Sequence, residues 1–132
     1  MYIYIYRCVH EYTFKSRKMP KKYHPGFTQK ECVEFCKKNN ILVEAWSPLG
    51  RGNVLDNPLL NSIASNHGKS VDQVVIRWVM QTGVLPLAKS VTPSRIKENI
   101  DVFDFELSQQ EMFEIASLKA DRIGSDPDTC DF

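Results

Sequence analysis

Leu85-Pro86-Leu87-Ala88-Lys89-Ser90-Val91-Thr92-Pro93-Ser94-Arg95-Ile96-Lys97-Glu98-Asn99 sets a strand, a turn and a helix start in one short stretch. The apolar run after Gly83 predicts a buried strand over Val84 to Leu87. The chain then turns through Lys89, Ser90 and Thr92 into a helix with Pro93 in its first turn. Proline at the first helical position, with a hydroxyl residue just before it, marks a helix start. Such a start leaves backbone N–H groups free and carries the positive end of the helix dipole, so it favours an anion. Lys89 adds a compact charge and Arg95 a planar guanidinium fork, a combination that suits a phosphate. The alternative reading of the same residues is a solvated, charged helix start that holds nothing.

Working upstream, Ser70-Val71-Asp72-Gln73 is a capping box, and Val71, Val74, Val75, Trp78 and Val79 recur at helical spacing to about Gln81. That spacing assigns Trp78 to the core. Asn57-Pro58 caps an earlier helix to about Asn66, with Leu59, Leu60, Ile63 and Ala64 inward and Gly68 ending it. Ile41 to Trp46 reads as a strand, and Ser47-Pro48-Leu49-Gly50-Arg51-Gly52 as a turn. Thr28-Gln29-Lys30-Glu31 reads as another capping box, opening a helix to about Asn39. Its apolar stripe is Cys32, Val33, Phe35 and Cys36. Downstream, the chain bends through Phe103 and Phe105, and Ser108-Gln109-Gln110-Glu111 caps a final helix to about Leu118.

Lys89-Ser90-Val91-Thr92-Pro93-Ser94-Arg95-Ile96-Lys97-Glu98-Asn99 resembles the cofactor segment of the aldo-keto reductases. Val102-Phe103-Asp104-Phe105-Glu106-Leu107-Ser108 resembles that family's run after the cofactor helix. Glu44-Ala45-Trp46-Ser47-Pro48-Leu49-Gly50 resembles its second cofactor motif. The likeness runs from about Tyr23 to about Leu118. It implies an α/β fold, the C-terminal βα units of a (β/α)8 TIM barrel. A whole barrel typically takes about 250 residues, so a chain of 132 residues implies an incomplete one. The implied division is a divergent N-terminal segment at 1–22, either disordered or an added strand, the barrel part at 23–120, and an irregular tail at 121–132.

The resemblance implies NADP(H) as cofactor. Lys89, Ser90 and Arg95 would hold its 2′-phosphate, with Val91 and Thr92 in the same segment, and Glu98 and Asn99 would meet the adenine. Trp46 would stack on the nicotinamide, while Ser47, Leu49 and the neighbouring Pro48, Gly50 and Arg51 line the pyrophosphate. By residue type alone Trp46 would be a core aromatic. Lys89 and Arg95 favour NADPH over NADH. The relatives also rely on an Asp, a Tyr, a Lys and a His from earlier strands and loops. None of those motifs occurs in these 132 residues, so no catalytic residue is carried over. His24 is accordingly read as structural. Ahead of Tyr23-His24-Pro25-Gly26 the relatives place a strand whose Gln holds the nicotinamide carboxamide. Here Met19-Pro20-Lys21-Lys22 stands there, and Pro20 cannot donate to a sheet ladder, which argues against a strand.

The remaining N-terminal residues carry other signals. Tyr12 to Lys22 reads as a basic, irregular, charged tail. Met1 to Arg7 alternates Tyr and Ile, is β-prone and is apolar on both faces, so it needs burial or a partner. A formal net charge of +1 gives no reason to expect nucleic acid or an anionic membrane surface as partner. Hydrophobic residues at 42% and aromatics at 11% are those of an ordinary globular protein. Cys32 and Cys36, spaced i, i+4, lack a histidine pair at zinc-finger spacing and read as reduced core thiols. No apolar run reaches the length of about 18 residues that a membrane helix needs. The N-terminus also lacks the pattern of a signal peptide, so the expected location is cytoplasmic.

Three functions are compatible with these signals. The first is an NADP(H)-dependent oxidoreductase reducing a small carbonyl substrate. The second is a non-catalytic remnant or barrel-completing partner that associates through open strand edges. The third is an unrelated α/β binding module.

Overall fold

The computed structural model describes residues 18–52 and 54–119. The expectations for Met1 to Arg7, for the basic residues up to Arg17 and for the tail from Asp121 lie outside the described residues. Among the described residues, β1 (Lys18–Lys22), β2 (Leu42–Trp46) and β3 (Leu85–Leu87) form a three-stranded parallel sheet in that order. Five helices accompany it: α1 (Lys30–Lys38), α2 (Pro58–His67), α3 (Val71–Gln81), α4 (Pro93–Ile100) and α5 (Gln109–Ala116). A strand followed by a helix and a parallel strand is the repeating unit of a (β/α)8 barrel, and the described residues supply a partial set of these units.

Period-2 alternation along β2 decides which way the sheet faces. Val43 and Ala45 are buried in the common core with α1, α2 and α3, so Leu42, Glu44 and Trp46 take the opposite face. α3 is the centre of the helix layer. Val71, Val74, Val75, Trp78 and Val79 are all buried, as the helical spacing requires. The Trp78 ring stacks on Tyr23 at 5.4 Å between centroids, and its indole N–H donates to the Met112 carbonyl at 3.3 Å. Burial pushes the Tyr23 phenol up, and a hydrogen bond with Thr82 partly offsets that. Leu60, Ile63 and Ala64 of α2 and Ile115 of α5 complete the core.

Helix ends follow local chemistry in most places. The Asn57 side chain accepts from the N–H groups of Leu59 and Leu60, and both expected capping boxes at Ser70 and Ser108 form. Gly68 and Gly83 end α2 and α3 with φ of 62° and 77°, where a side chain would be strained.

Several expectations are corrected. The box at Thr28 to Glu31 does not form. The N-cap is Gln29, in a left-handed conformation, and its side-chain amide instead donates to the Lys22 carbonyl at 2.7 Å, tying α1 to the end of β1. Phe35 is 59% exposed and does not join the α1 stripe, which buries Val33 and Cys36. Residues Lys18–Lys22 form a strand despite Pro20, which stands opposite Glu44 in the ladder. β1 has one neighbour among the described residues. On such a strand alternate N–H groups point away from that neighbour, so a proline need not break the ladder. The second strand starts at Leu42, one residue later than expected, and the last helix ends at Ala116 and not near Leu118.

The caps give a direct contrast. Ser70→Ala removes the hydroxyl that accepts from the Gln73 N–H and is expected to cost about 1 kcal/mol. Thr92→Ala removes no side-chain cap bond and is expected to cost a few tenths at most. Urea denaturation of the two variants, followed by circular dichroism, checks the difference.

Candidate functional site

The register of the sheet sets the last residues of all three strands in one row. Lys22 lies opposite Trp46, and Trp46 lies opposite Leu87. The segments that leave these strand ends therefore emerge side by side at one edge. In a (β/α)8 barrel this carboxyl edge is where ligands meet the protein.

Trp46 is 46% exposed, with the Lys22 ammonium 5.3 Å from its ring centroid. It is not the core aromatic that residue type alone suggests. Alternation explains this: Ala45 faces the helix layer, so Trp46 points away from it. The chain then bends sharply. Ser47 adopts a left-handed conformation at φ 55°, its carbonyl accepts from the Gly50 N–H at 3.0 Å, and the Leu49 carbonyl accepts from the Gly52 N–H at 2.8 Å. A left-handed non-glycine residue costs about 1 kcal/mol or more. Here the bend is anchored by fully buried Pro48 and by Leu49, which packs against the core. Gly50, Arg51 and Gly52 follow as a single 3-10 turn.

The segment after β3 is held more loosely. Lys89, Val91, Thr92 and Arg95 are exposed, while Ser90, Glu98 and Asn99 are half-buried. The Ser90 hydroxyl accepts from the Thr92 N–H at 3.2 Å, which shapes the turn into α4. Thr92 is the N-cap but makes no side-chain cap bond, and Pro93 follows it. The first turn of α4 thus presents its N–H groups without a competing side-chain acceptor, beside two exposed cations. No residue of α4 is buried.

α4 also runs beside the start of α3. The Asp72 carboxyl is pushed up by burial, then by the Glu98 charge, and the Arg95 charge partly pulls it back. Gln73 reaches across to the carbonyls of Glu98 and Asp101. The capping box announces Gln73 as the third residue of α3, but this second set of bonds depends on where the tertiary fold puts α4. The Lys22 contact with Trp46 has no sequence signal either, since it follows from register. His24 is buried, stacks on Phe27 at 5.6 Å and has Nδ1 3.0 Å from the Pro25 carbonyl oxygen. Cys36 is buried and Cys32 half-buried, and neither is in a disulfide. Among the described residues no cluster suits a metal ion. Among them also no helix is long and apolar enough to cross a membrane.

A sequence model described as the aldo/keto reductase family matches residues 20–120. The chain belongs to the aldo/keto reductase family. It is 51% identical over 108 residues to the glyoxal reductase of Bacillus subtilis, covering 81% of this chain and 39% of that protein. It is 43% identical over 108 residues to the methylglyoxal reductase DkgA of Escherichia coli, covering 80% of this chain and 39% of that one. The solved structure of a Gox0644 variant in complex with NADPH matches at a TM-score of 0.84 and 38% identity, over 96% of this chain and 47% of the other. The chain thus spans about two fifths of the length of these curated relatives. The family fold is the (β/α)8 barrel, and the three strands described here are its βα units in an incomplete set.

Arg95 and Asp72 offer a test of the geometry at α4. Arg95→Ala removes the charge that lowers the Asp72 carboxyl, so its pKa should rise further above the usual carboxylate value. A raised folded-state value means that protonation favours the fold: the contribution is full below the unfolded value near 3.8 and is lost as pH rises through the folded one. Carboxyl carbon NMR through an acid titration reads the shift. An unchanged Asp72 would contradict the placement of Arg95.

Proposed function

We propose that this chain carries the cofactor side of an NADP(H)-dependent carbonyl reductase. The observation that carries the reading is the level row of strand ends, which sets the exposed face of Trp46 and the open first turn of α4 at the same edge of the sheet. The residues there fit the group. Lys89, Ser90 and Arg95 offer a point charge, a hydroxyl and a guanidinium fork to a 2′-phosphate, with Val91 and Thr92 leading into the helix N-terminus. Glu98 and Asn99 stand further along α4, where they offer an acceptor and an amide to the adenine. Trp46 offers a rigid aromatic face to the nicotinamide, and the bend at Ser47, Pro48, Leu49, Gly50 and Arg51 offers backbone to the pyrophosphate. When bound, NADPH supplies a hydride, and the residues named here orient it and leave one ring face open.

The substrate in this reading is a small aldehyde or ketone. The named activities of the two curated relatives support that class. No described residue is assigned as proton donor to the carbonyl oxygen. The Asp, Tyr, Lys and His of the family pattern belong to earlier strands and loops, so turnover requires that part of the barrel. A second reading has its own support. β1 and β3 each have one neighbour among the described residues, and such edges invite pairing with another chain. On that reading the chain completes a barrel by association, and a sizing column distinguishes it by oligomeric state. A buried Cys36 outside any disulfide suits a reducing, cytoplasmic setting.

Calorimetric titration of NADPH and NADH into the full chain tests the main reading. Arg95→Ala should weaken NADPH about tenfold, roughly 1.4 kcal/mol, and NADH by less than about twofold. Trp46→Ala should weaken both nucleotides alike, because the ring they share stacks there. Equal loss for both nucleotides in Arg95→Ala would overturn the 2′-phosphate assignment.

A further inference from the structure

We propose that Gln73 is a positioning residue for the cofactor helix: its side-chain amide holds the C-terminal turn of α4 and so sets where Arg95 and Glu98 stand. The proposal rests on the reading of α4 as the 2′-phosphate and adenine helix. α4 needs such a hold. It is eight residues long, none of them buried, and its N-cap side chain makes no bond. Helices shorter than about 12–15 residues are marginal on their own. Polar ties from α3 and its leading turn take the place of packing.

The Gln73 Nε2 group donates to the Glu98 carbonyl at 3.1 Å, to the Asp101 carbonyl at 2.8 Å and lies 3.2 Å from Asp101 Oδ2. The Lys69 ammonium adds ties to Asp101 Oδ2 at 3.1 Å and Asp104 Oδ2 at 2.7 Å. The Arg77 guanidinium donates to the Val102 carbonyl at 3.2 Å. Of these ties, that from Gln73 reaches a carbonyl inside the helix. Gln73 is buried, so its hydrogen bonds are poorly replaced by water when lost.

The orientation of the Gln73 amide follows from its neighbours. The Ser70 backbone N–H can only donate, and it donates to Gln73 Oε1 at 3.0 Å. The Glu98 and Asp101 carbonyls can only accept, so Nε2 must face them. One side chain therefore closes the capping box of α3 with its oxygen and anchors α4 with its nitrogen. Arg95 and Glu98 are three residues apart on α4 and share a face, so a loosened last turn moves both. The Asp72 carboxyl, next to Gln73, is pushed up by burial and then by the Glu98 charge, and the Arg95 charge partly pulls it back, in keeping with that placement.

The two roles of Gln73 can be separated. Gln73→Glu keeps an oxygen for the capping box, which accepts Glu or Gln alike. It removes the N–H donors and sets a carboxylate against two carbonyls and the Asp101 carboxylate. Lys69→Met is the second variant. It leaves the capping box untouched and keeps an apolar side chain over the Phe105 ring, while removing the ties to Asp101 and Asp104.

Backbone amide hydrogen exchange and calorimetric NADPH and NADH titrations on the full chain test the proposal, with Arg95→Ala as control. In Gln73→Glu, exchange at residues 96–101 should speed up at least tenfold while residues 74–79 stay within about twofold. NADPH affinity should fall five- to tenfold, and NADH affinity should fall by less, through the adenine contact of Glu98 alone. Lys69→Met should move both readouts in the same direction by less, and it decides the matter if Gln73→Glu unfolds. Unchanged exchange across α4 overturns the clamp. Faster exchange with NADPH affinity intact, while Arg95→Ala still weakens NADPH, overturns positioning and leaves the cofactor reading standing. If Arg95→Ala does not weaken NADPH, the cofactor reading itself fails and the positioning role falls with it.

Discussion

The alternation of β2 is the constraint on which the rest of this structure depends. Val43 and Ala45 must face the helix layer, because α1 and α3 bury their apolar stripes against that side of the sheet and α2 packs on α3 behind them. Once they do, Trp46 is forced to the other face at the carboxyl end of the strand. The parallel register then carries the constraint sideways to Lys22 and Leu87, so the segments after β2 and β3 start from the same level. A slip of one residue in β2 would bury Trp46 and expose Val43 and Ala45. The core therefore fixes the edge where the candidate site forms.

The two halves of that edge are stabilised in different ways. The bend after Trp46 is rooted in the core through Pro48 and Leu49, and it holds a strained Ser47 in place. The segment after Leu87 has no such root. Its helix lies on the surface, tied by Gln73, Lys69 and Arg77 to carbonyls and carboxylates near its end. Lys69 also lies over the Phe105 ring, and the hydrogen bond with Asp104 raises the Lys69 ammonium and lowers the Asp104 carboxyl. A surface helix held at its far end leaves its first turn free for an anion. The price of that openness is dependence on a few polar contacts.

Much of this was legible in the sequence, and the exceptions have physical causes. Helical spacing identified α3 and its buried Trp78 because five apolar residues fall on one face. Asn57, Ser70 and Ser108 announced three helix starts, since their side chains act on N–H groups two or three residues away. Thr28 failed as a cap because the helix starts one residue later than the box requires: Gln29 is the N-cap, in a left-handed conformation, with its side chain tied to the Lys22 carbonyl by a tertiary contact. Pro20 misled because the cost of a proline depends on which neighbours a strand has, and the sequence does not state them. At the candidate site, residue type and the family likeness both pointed to Lys89 and Arg95, whereas Trp46 came from the likeness alone, since residue type would have put it in the core. What they lacked was the level register of the strand ends and the second role of Gln73, both of which arise only when separate elements meet.

The central claim is that the segment after β2 and the segment after β3 form one nucleotide site. Amide chemical-shift mapping of the isotopically labelled chain with NADPH tests it most directly. The account predicts that residues 46–52 and 89–99 shift together and saturate at one common concentration, while α1 and α5 stay still. Shifts confined to one of the two segments, or two separate saturation curves, would contradict it.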